Sequence, residues 1–153
     1  MKNTIAVILA RGGSKGIPNK NIAEIYGEPL ISYSINLALK SKLVARTIVT
    51  TDDKKIASIS KNCGAEVFMR SASLSDDVIM PDYAILDVIN KLEKESYIPK
   101  VILFLQPTSP IRDIEDIEEA LTLFSSQDAD SLLSVSSMHG FIWREDNKGK
   151  LTS

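Results

Sequence analysis

Short apolar runs alternating with longer amphipathic stretches are what most restrict the fold open to this chain. Ile5–Leu9 reads as a first strand. Thr47–Thr51 (TIVTT) is β-branched throughout, Glu66–Met69 is a short third strand, and Val101–Leu105 (VILFL) is the most apolar run, predicting a central strand. A fifth strand is expected at Leu132–Val135. Between them lie helical patterns. Pro29 suits a first helical position, with Ile31, Ile35, Ala38 and Leu39 on one face of a helix over about 29–41. Asp53 to Cys63 carries Ile56, Ile59 and Cys63 on one stripe and stops at Gly64. Pro81 opens a helix with Ile85, Val88, Ile89 and Leu92 inward, and Asp113 caps one with Ile114, Ile117, Leu121 and Phe124 inward. Strands without strict alternation, separated by such helices, predict an α/β fold: a three-layer, mainly parallel sheet with helices on both faces.

In sheets of this kind ligands bind outside the carboxyl ends of the strands. The loop after the first strand, Ala10-Arg11-Gly12-Gly13-Ser14-Lys15-Gly16-Ile17-Pro18-Asn19-Lys20-Asn21, lies there. It holds three glycines and three cations, and the first acid of the chain is Glu24. Glycines let backbone N–H groups turn toward an anion, and Arg11, Lys15 and Lys20 add charge that no local carboxylate cancels. This is neither a Walker A loop nor the dinucleotide G-x-G-x-x-G. The pattern suits a polyphosphate; the competing reading is an ordinary surface loop.

Composition narrows the partners. The 153 residues fit one domain, with 44% apolar residues for one core. A net charge of −2 gives no general attraction to nucleic acid or anionic lipid, so the basic loop suits a small anion. Cys63 is the single cysteine, which rules out an internal disulfide and fits a reducing, cytoplasmic setting. No apolar run reaches membrane-spanning length, and the apolar start, Thr4 to Ala10, is too short for a signal core.

Four segments together, ILARGGSKGIPNKN (8–21), IVTTDD (48–53), Arg70 with LSDD (74–77), and LQPTSPIR (105–112), resemble the cytidylyltransferases that activate nine-carbon keto-acid sugars, the acylneuraminate cytidylyltransferases or CMP–sialic acid synthetases. The resemblance spans nearly the whole chain. It implies a fold of the nucleotide-diphospho-sugar transferase type, CTP and a sialic-acid-like sugar as substrates, Mg2+ as cofactor, and pyrophosphate release. It implies that Arg11, Lys15 and Lys20 hold the triphosphate as catalytic cations. By the same resemblance Ala10, Gly12, Gly13, Ser14, Asn21, Arg70 and Asp76 bind nucleotide, with Asn21 and Arg70 at the cytosine, and Gln106 lies on the sugar side.

Alternatives stay open at several residues. Gln106 ends an apolar strand and could equally cap a buried loop. Arg112 pairs with the acceptor's carboxylate or with Glu115 or Asp116. Asp52 and Asp53 could ligate magnesium, or Asp53 could cap the next helix. His139, the sole histidine, has no placed partner. No residue is assigned as a metal ligand. Residues 1–138 are expected to form the nucleotide-binding domain. Residues 139–153 read as the start of a truncated dimer-forming segment, with Phe141–Arg144 a strand and Asp146-Asn147-Lys148-Gly149 a turn. The metal-binding aspartates of the family and a homodimer are expected of a longer chain. The rival readings are an octulosonate-type transferase and a non-catalytic nucleotide-binding module.

Overall fold

A computed structural model describes residues 3–14, 16–71, 74, 80–127, 129–137, 140 and 143–152. Lys15, Asp76, Asp77, His139, Phe141 and Ile142 therefore lie outside the described residues. The chain runs β1 (Thr4–Leu9), a 3-10 turn (Lys20–Ile22), β2 (Glu24–Ile25), β3 (Glu28–Pro29), α1 (Leu30–Lys40), β4 (Arg46–Thr51) and α2 (Lys54–Asn62). It continues with β5 (Glu66–Met69), α3 (Pro81–Lys94), β6 (Val101–Leu105), α4 (Ile114–Ser126), β7 (Arg144–Glu145) and β8 (Leu151–Thr152). No helix among the described residues is long and apolar enough to cross a membrane.

The main sheet has the order β5-β4-β1-β6, and every pairing in it is parallel. Alternate residues of β1 serve its two faces, as the two-residue period of a strand requires. Ala6 and Ile8, with Ala10 just beyond, pack with Ile31 and Ile35 of α1, Ile56 of α2, and Ile117 and Leu121 of α4. Ile5 and Val7 pack with Ile48, Val88 and Leu92, so α3 covers the opposite face. This is the expected three-layer architecture. From β1 the chain steps outward to β4 and β5, then returns to place β6 on the other side of β1. That reversal opens a crevice at the carboxyl ends of β1 and β6.

Local chemistry sets the element ends. The Asp53 carboxylate accepts hydrogen bonds from the Lys55 and Ile56 amides at 2.6 and 2.9 Å and so starts α2. Gly64, at φ +93°, stops it. In α4 the Asp116 carboxylate accepts from the Asp113 amide at 3.3 Å. At the amino-terminal end of the sheet, Arg46 donates to Glu66 at 2.8 Å and to Glu95 at 3.0 Å, and lies 4.8 Å from the centre of the Tyr97 ring.

Several expectations are corrected. Val101–Leu105 forms the expected strand, but at an edge of the described sheet: its residues are half-buried apart from Leu105, whereas β1 and β4 are the buried pair. Apolar content does not say how many neighbours a strand has. Leu132–Val135 is not a strand; Leu133 and Val135 are exposed and make no ladder, and an apolar run alone cannot hold an extended segment without a partner. Pro29 is the cap of α1 rather than its first residue, because it pairs with Glu24 in a small antiparallel ribbon. Leu39 points outward and is exposed, while Ile31, Ile35 and Ala38 face the core as expected. Arg144 of the anticipated terminal hairpin does pair with Thr152, across a turn in which Asp146 accepts from the Lys148 and Lys150 amides.

Candidate active site

The glycine-containing loop leaves β1 at the crevice and is pinned along its first turn. The Ala10 amide extends the ladder by donating to the Thr50 carbonyl at 3.1 Å. The buried Asn21 side chain donates to the Arg11 carbonyl at 3.0 Å. The Gly12 amide donates to the Asp52 carboxylate at 3.1 Å. Asn19 sits in the left-handed region (φ 55°), which asparagine tolerates better than most residues. Its reversal leads into the 3-10 turn, which returns Lys20 and Asn21 to the crevice.

A cleft of about 350 Å³ results. Its floor includes Leu9 and Phe104, from the carboxyl ends of β1 and β6. Arg11, Ser14, Lys20, Asn21, Arg70 and Gln106 give it polar walls. Residues from the three connections that follow β1, β5 and β6 thus converge on one cavity, of the size in which small ligands bind. Met80, Pro81 and Ala84 close it from the start of α3.

The cations are not independent of one another. Burial is the largest influence on the Arg70 guanidinium and pushes its pKa down; Asp52 opposes that shift, Arg11 adds to it, and Asp87 opposes it. A positive neighbour that adds to the cost of the Arg70 charge favours an anion close to Arg70. The Arg70 amide donates to the Thr51 carbonyl at 2.9 Å, which carries the side chain off the end of β5 toward this point.

The sequence-level assignments divide cleanly. Six residues named for ligand contact line the cleft: Arg11, Ser14, Lys20, Asn21, Arg70 and Gln106. Three do not. Ala10 is fully buried in the core, Gly13 is exposed beyond the cleft wall, and Gly12 gives its amide to Asp52 rather than presenting it to a ligand. Gly12 is required for another reason: a Cβ there would meet the Asp53 carboxylate and Cβ at 2.8 and 2.9 Å. Gly12→Ala is therefore expected to cost about 1–3 kcal/mol, the usual range for overpacking, by forcing the loop off α2. A urea titration checks this; an unchanged midpoint would mean that the approach relaxes freely.

Gln106 is exposed rather than buried, so its side chain faces the cleft without needing a protein partner. Its carbonyl accepts from the Ser109 amide at 3.2 Å and from Arg112 at 2.9 Å. Arg112 also donates to Ser34 of α1 at 3.3 Å, and no ion pair with Glu115 or Asp116 is formed. Burial lowers its pKa. Arg112 thus ties the proline-rich loop to α1. The apolar floor residues Leu9 and Phe104 were legible only as strand core; their places at the strand ends, on the α3 face, were the available sign.

The described residues do not form a metal cage. No group of three His, Cys, Asp or Glu among them is placed to hold an ion. Asp53 is occupied as the cap of α2 and Asp52 by Gly12.

Comparison with known proteins gives consistent relatives. A cytidylyltransferase family model matches residues 5–142. The chain is 40% identical to N-acylneuraminate cytidylyltransferase A of Danio rerio over 144 residues, 94% of this chain and 33% of that protein. It is 38% identical to CMP-N,N'-diacetyllegionaminic acid synthase of Legionella pneumophila over 120 residues, 78% of this chain and 52% of that protein. Among solved structures, CMP:2-keto-3-deoxy-manno-octonic acid synthetase complexed with CTP superposes with a TM-score of 0.71 at 26% identity, covering 83% of this chain and 49% of that one. The chain spans about a third to a half of the length of these relatives. With its parallel sheet, its cation-lined cleft at the β1/β6 reversal and a match over residues 5–142, the chain belongs to the cytidylyltransferase family.

Proposed function

We propose that this cleft binds CTP and serves transfer of its CMP group to the anomeric hydroxyl of a sialic-acid-like nine-carbon keto-acid sugar. The observation that carries the reading is the meeting of Arg11, Ser14, Lys20, Asn21, Arg70 and Gln106 in one cavity. The structural relative with CTP bound shares the fold over most of this chain, and the greater identity to the acylneuraminate enzyme favours a sialic-type acceptor over an octulosonate.

In this reading the sugar hydroxyl oxygen bonds to the α-phosphorus and gives up its proton to solvent, while the bond to the departing diphosphate breaks. Arg11, Lys20 and, by resemblance, Lys15 neutralise charge as pyrophosphate leaves. Positioning and electrostatics carry most of such a reaction, and no protein nucleophile is required. Asn21 has a second amide hydrogen and a carbonyl oxygen beyond its bond to Arg11, and Arg70 supplies only donors, a combination that matches the O2 and N3 acceptors of cytosine. Magnesium enters only as the ion that accompanies a nucleoside triphosphate, and no residue here is assigned to it.

Thermal melting with CTP, ATP, GTP and UTP, each with magnesium, tests the base assignment. At a hundred times its dissociation constant CTP should add about 2.7 kcal/mol of stability, a rise of several degrees in melting temperature. Equal stabilisation by all four nucleotides would refute cytosine recognition. Pyrophosphate release from CTP with N-acetylneuraminate separates a transferase from a module that only binds.

A further inference from the structure

The two aspartates that follow β4 have different employment. Asp53 caps α2 through its Oδ1, and its amide is fixed by the Thr51 hydroxyl at 3.1 Å. Asp52 instead reaches across 40 positions of sequence to accept the Gly12 amide at 3.1 Å. Of the three bonds that pin the start of the loop, at Ala10, Arg11 and Gly12, this one alone uses a carboxylate, the stronger kind of acceptor. It is also the last of them along the chain. Beyond it, Ser14 is tied by its amide to the Gly12 carbonyl at 3.0 Å, so the place of Ser14 in the cleft follows from the orientation of the Gly12 peptide.

A loop with glycines at 12, 13 and 16 loses a large conformational entropy when it is ordered. Left to itself it would meet that cost when ligand arrives, and the affinity would fall accordingly. A bond made within the protein itself, from the Gly12 amide to Asp52, removes part of the cost beforehand.

We propose that Asp52 is a positioning residue for the phosphate site, a latch that holds the Gly12 peptide and so presets the loop. This rests on the reading of the cleft as a triphosphate site. Asp52 acts through Gly12, and its carboxylate does not contact the ligand.

Two variants test it. Asp52→Ala removes the acceptor while leaving the Asp53 cap of α2 in place. Asp52→Asn removes the charge but keeps a side-chain oxygen that can accept from Gly12. Two quantities are read in each: hydrogen exchange of the Gly12 amide without ligand, and the dissociation constants of CTP and of inorganic tripolyphosphate by calorimetry. Asp52→Ala should release Gly12 to fast exchange and weaken both ligands by about tenfold, the factor that 1.4 kcal/mol of lost preorganisation produces. Asp52→Asn should keep Gly12 protected and stay within about threefold of the parent, by the same conversion. Undiminished protection of Gly12 in Asp52→Ala would overturn the latch, as would an Asp52→Asn variant that loses as much affinity as the alanine form. If the parent protein bound neither ligand, the triphosphate reading would fail, and with it the role of Asp52 in ligand binding. Gly12 exchange would then report separately on the bond itself.

Discussion

The double replacement Arg11→Ala/Lys20→Ala is expected to weaken CTP binding about a hundredfold. Each cation would give up a charge-assisted contact with the phosphates, about 1.5–3 kcal/mol in typical cases, and 1.4 kcal/mol is a factor of ten. Both side chains line the same cleft, so their losses need not add fully. Lys61→Ala is the control. Lys61 is exposed in the last turn of α2, and its removal changes the net charge without touching the cleft. Calorimetry on the parent, the control and the double variant decides the matter. If the control and the double variant lost equal affinity, attraction would be general rather than local, and the assigned roles of Arg11 and Lys20 would be withdrawn. The parent should also bind more weakly as salt is raised, because partly exposed charges are screened.

The second large effect concerns the core that carries the loop. Ile8 is fully buried among Ile31, Ile35, Val49 and Ile56, one residue before the crevice begins. Ile8→Ala should cost about 2–5 kcal/mol, the range for deleting a large aliphatic side chain from a packed interior. Domains are stable by only about 5–15 kcal/mol, so the loss is a large part of the total. At about 2–4 °C per kcal/mol for a domain of this size, the melting temperature should drop by about 5–15 °C. A loss under 1 kcal/mol would contradict the packing described for the face covered by α1, α2 and α4.

Short elements bounded by strong turn residues were readable from the amino acids alone. Glu66–Met69 and Val101–Leu105 have the same limits in the structure as in the sequence reading, because Gly64, Lys100 and Gln106 interrupt compact apolar runs. Their neighbours were not readable. β6 borders an open edge and Leu132–Val135 has no ladder, since the partner of a strand is a property of the assembled sheet. The β2–β3 ribbon escaped notice for a different reason. Each strand has two residues, and the turn between them puts Tyr26 (φ 51°) beside Gly27 (φ 82°), where asparagine or glycine is the usual sign.

The candidate site shows the same division. Arg11, Ser14, Lys20, Asn21, Arg70 and Gln106 were assigned by resemblance to motifs at strand ends, and a parallel sheet brings strand ends together. What the spacing did not reveal was the inward work of the loop. The resemblance implies that Gly12 binds nucleotide, whereas its amide faces Asp52 and it lies against Asp53, residues 40 and 41 positions away. Asp53 caps α2, one of the two readings its sequence position leaves open, and Asp52 holds the loop. A bond across that much sequence leaves no periodic trace.

The most direct test is a crystal structure of the chain grown with CTP. The account predicts phosphate oxygens beside Arg11, Ser14 and Lys20, with the cytosine turned toward Asn21 and Arg70 and the Gly12 amide still on Asp52. A nucleotide bound elsewhere, with the cleft between β1 and β6 holding only solvent, would contradict it.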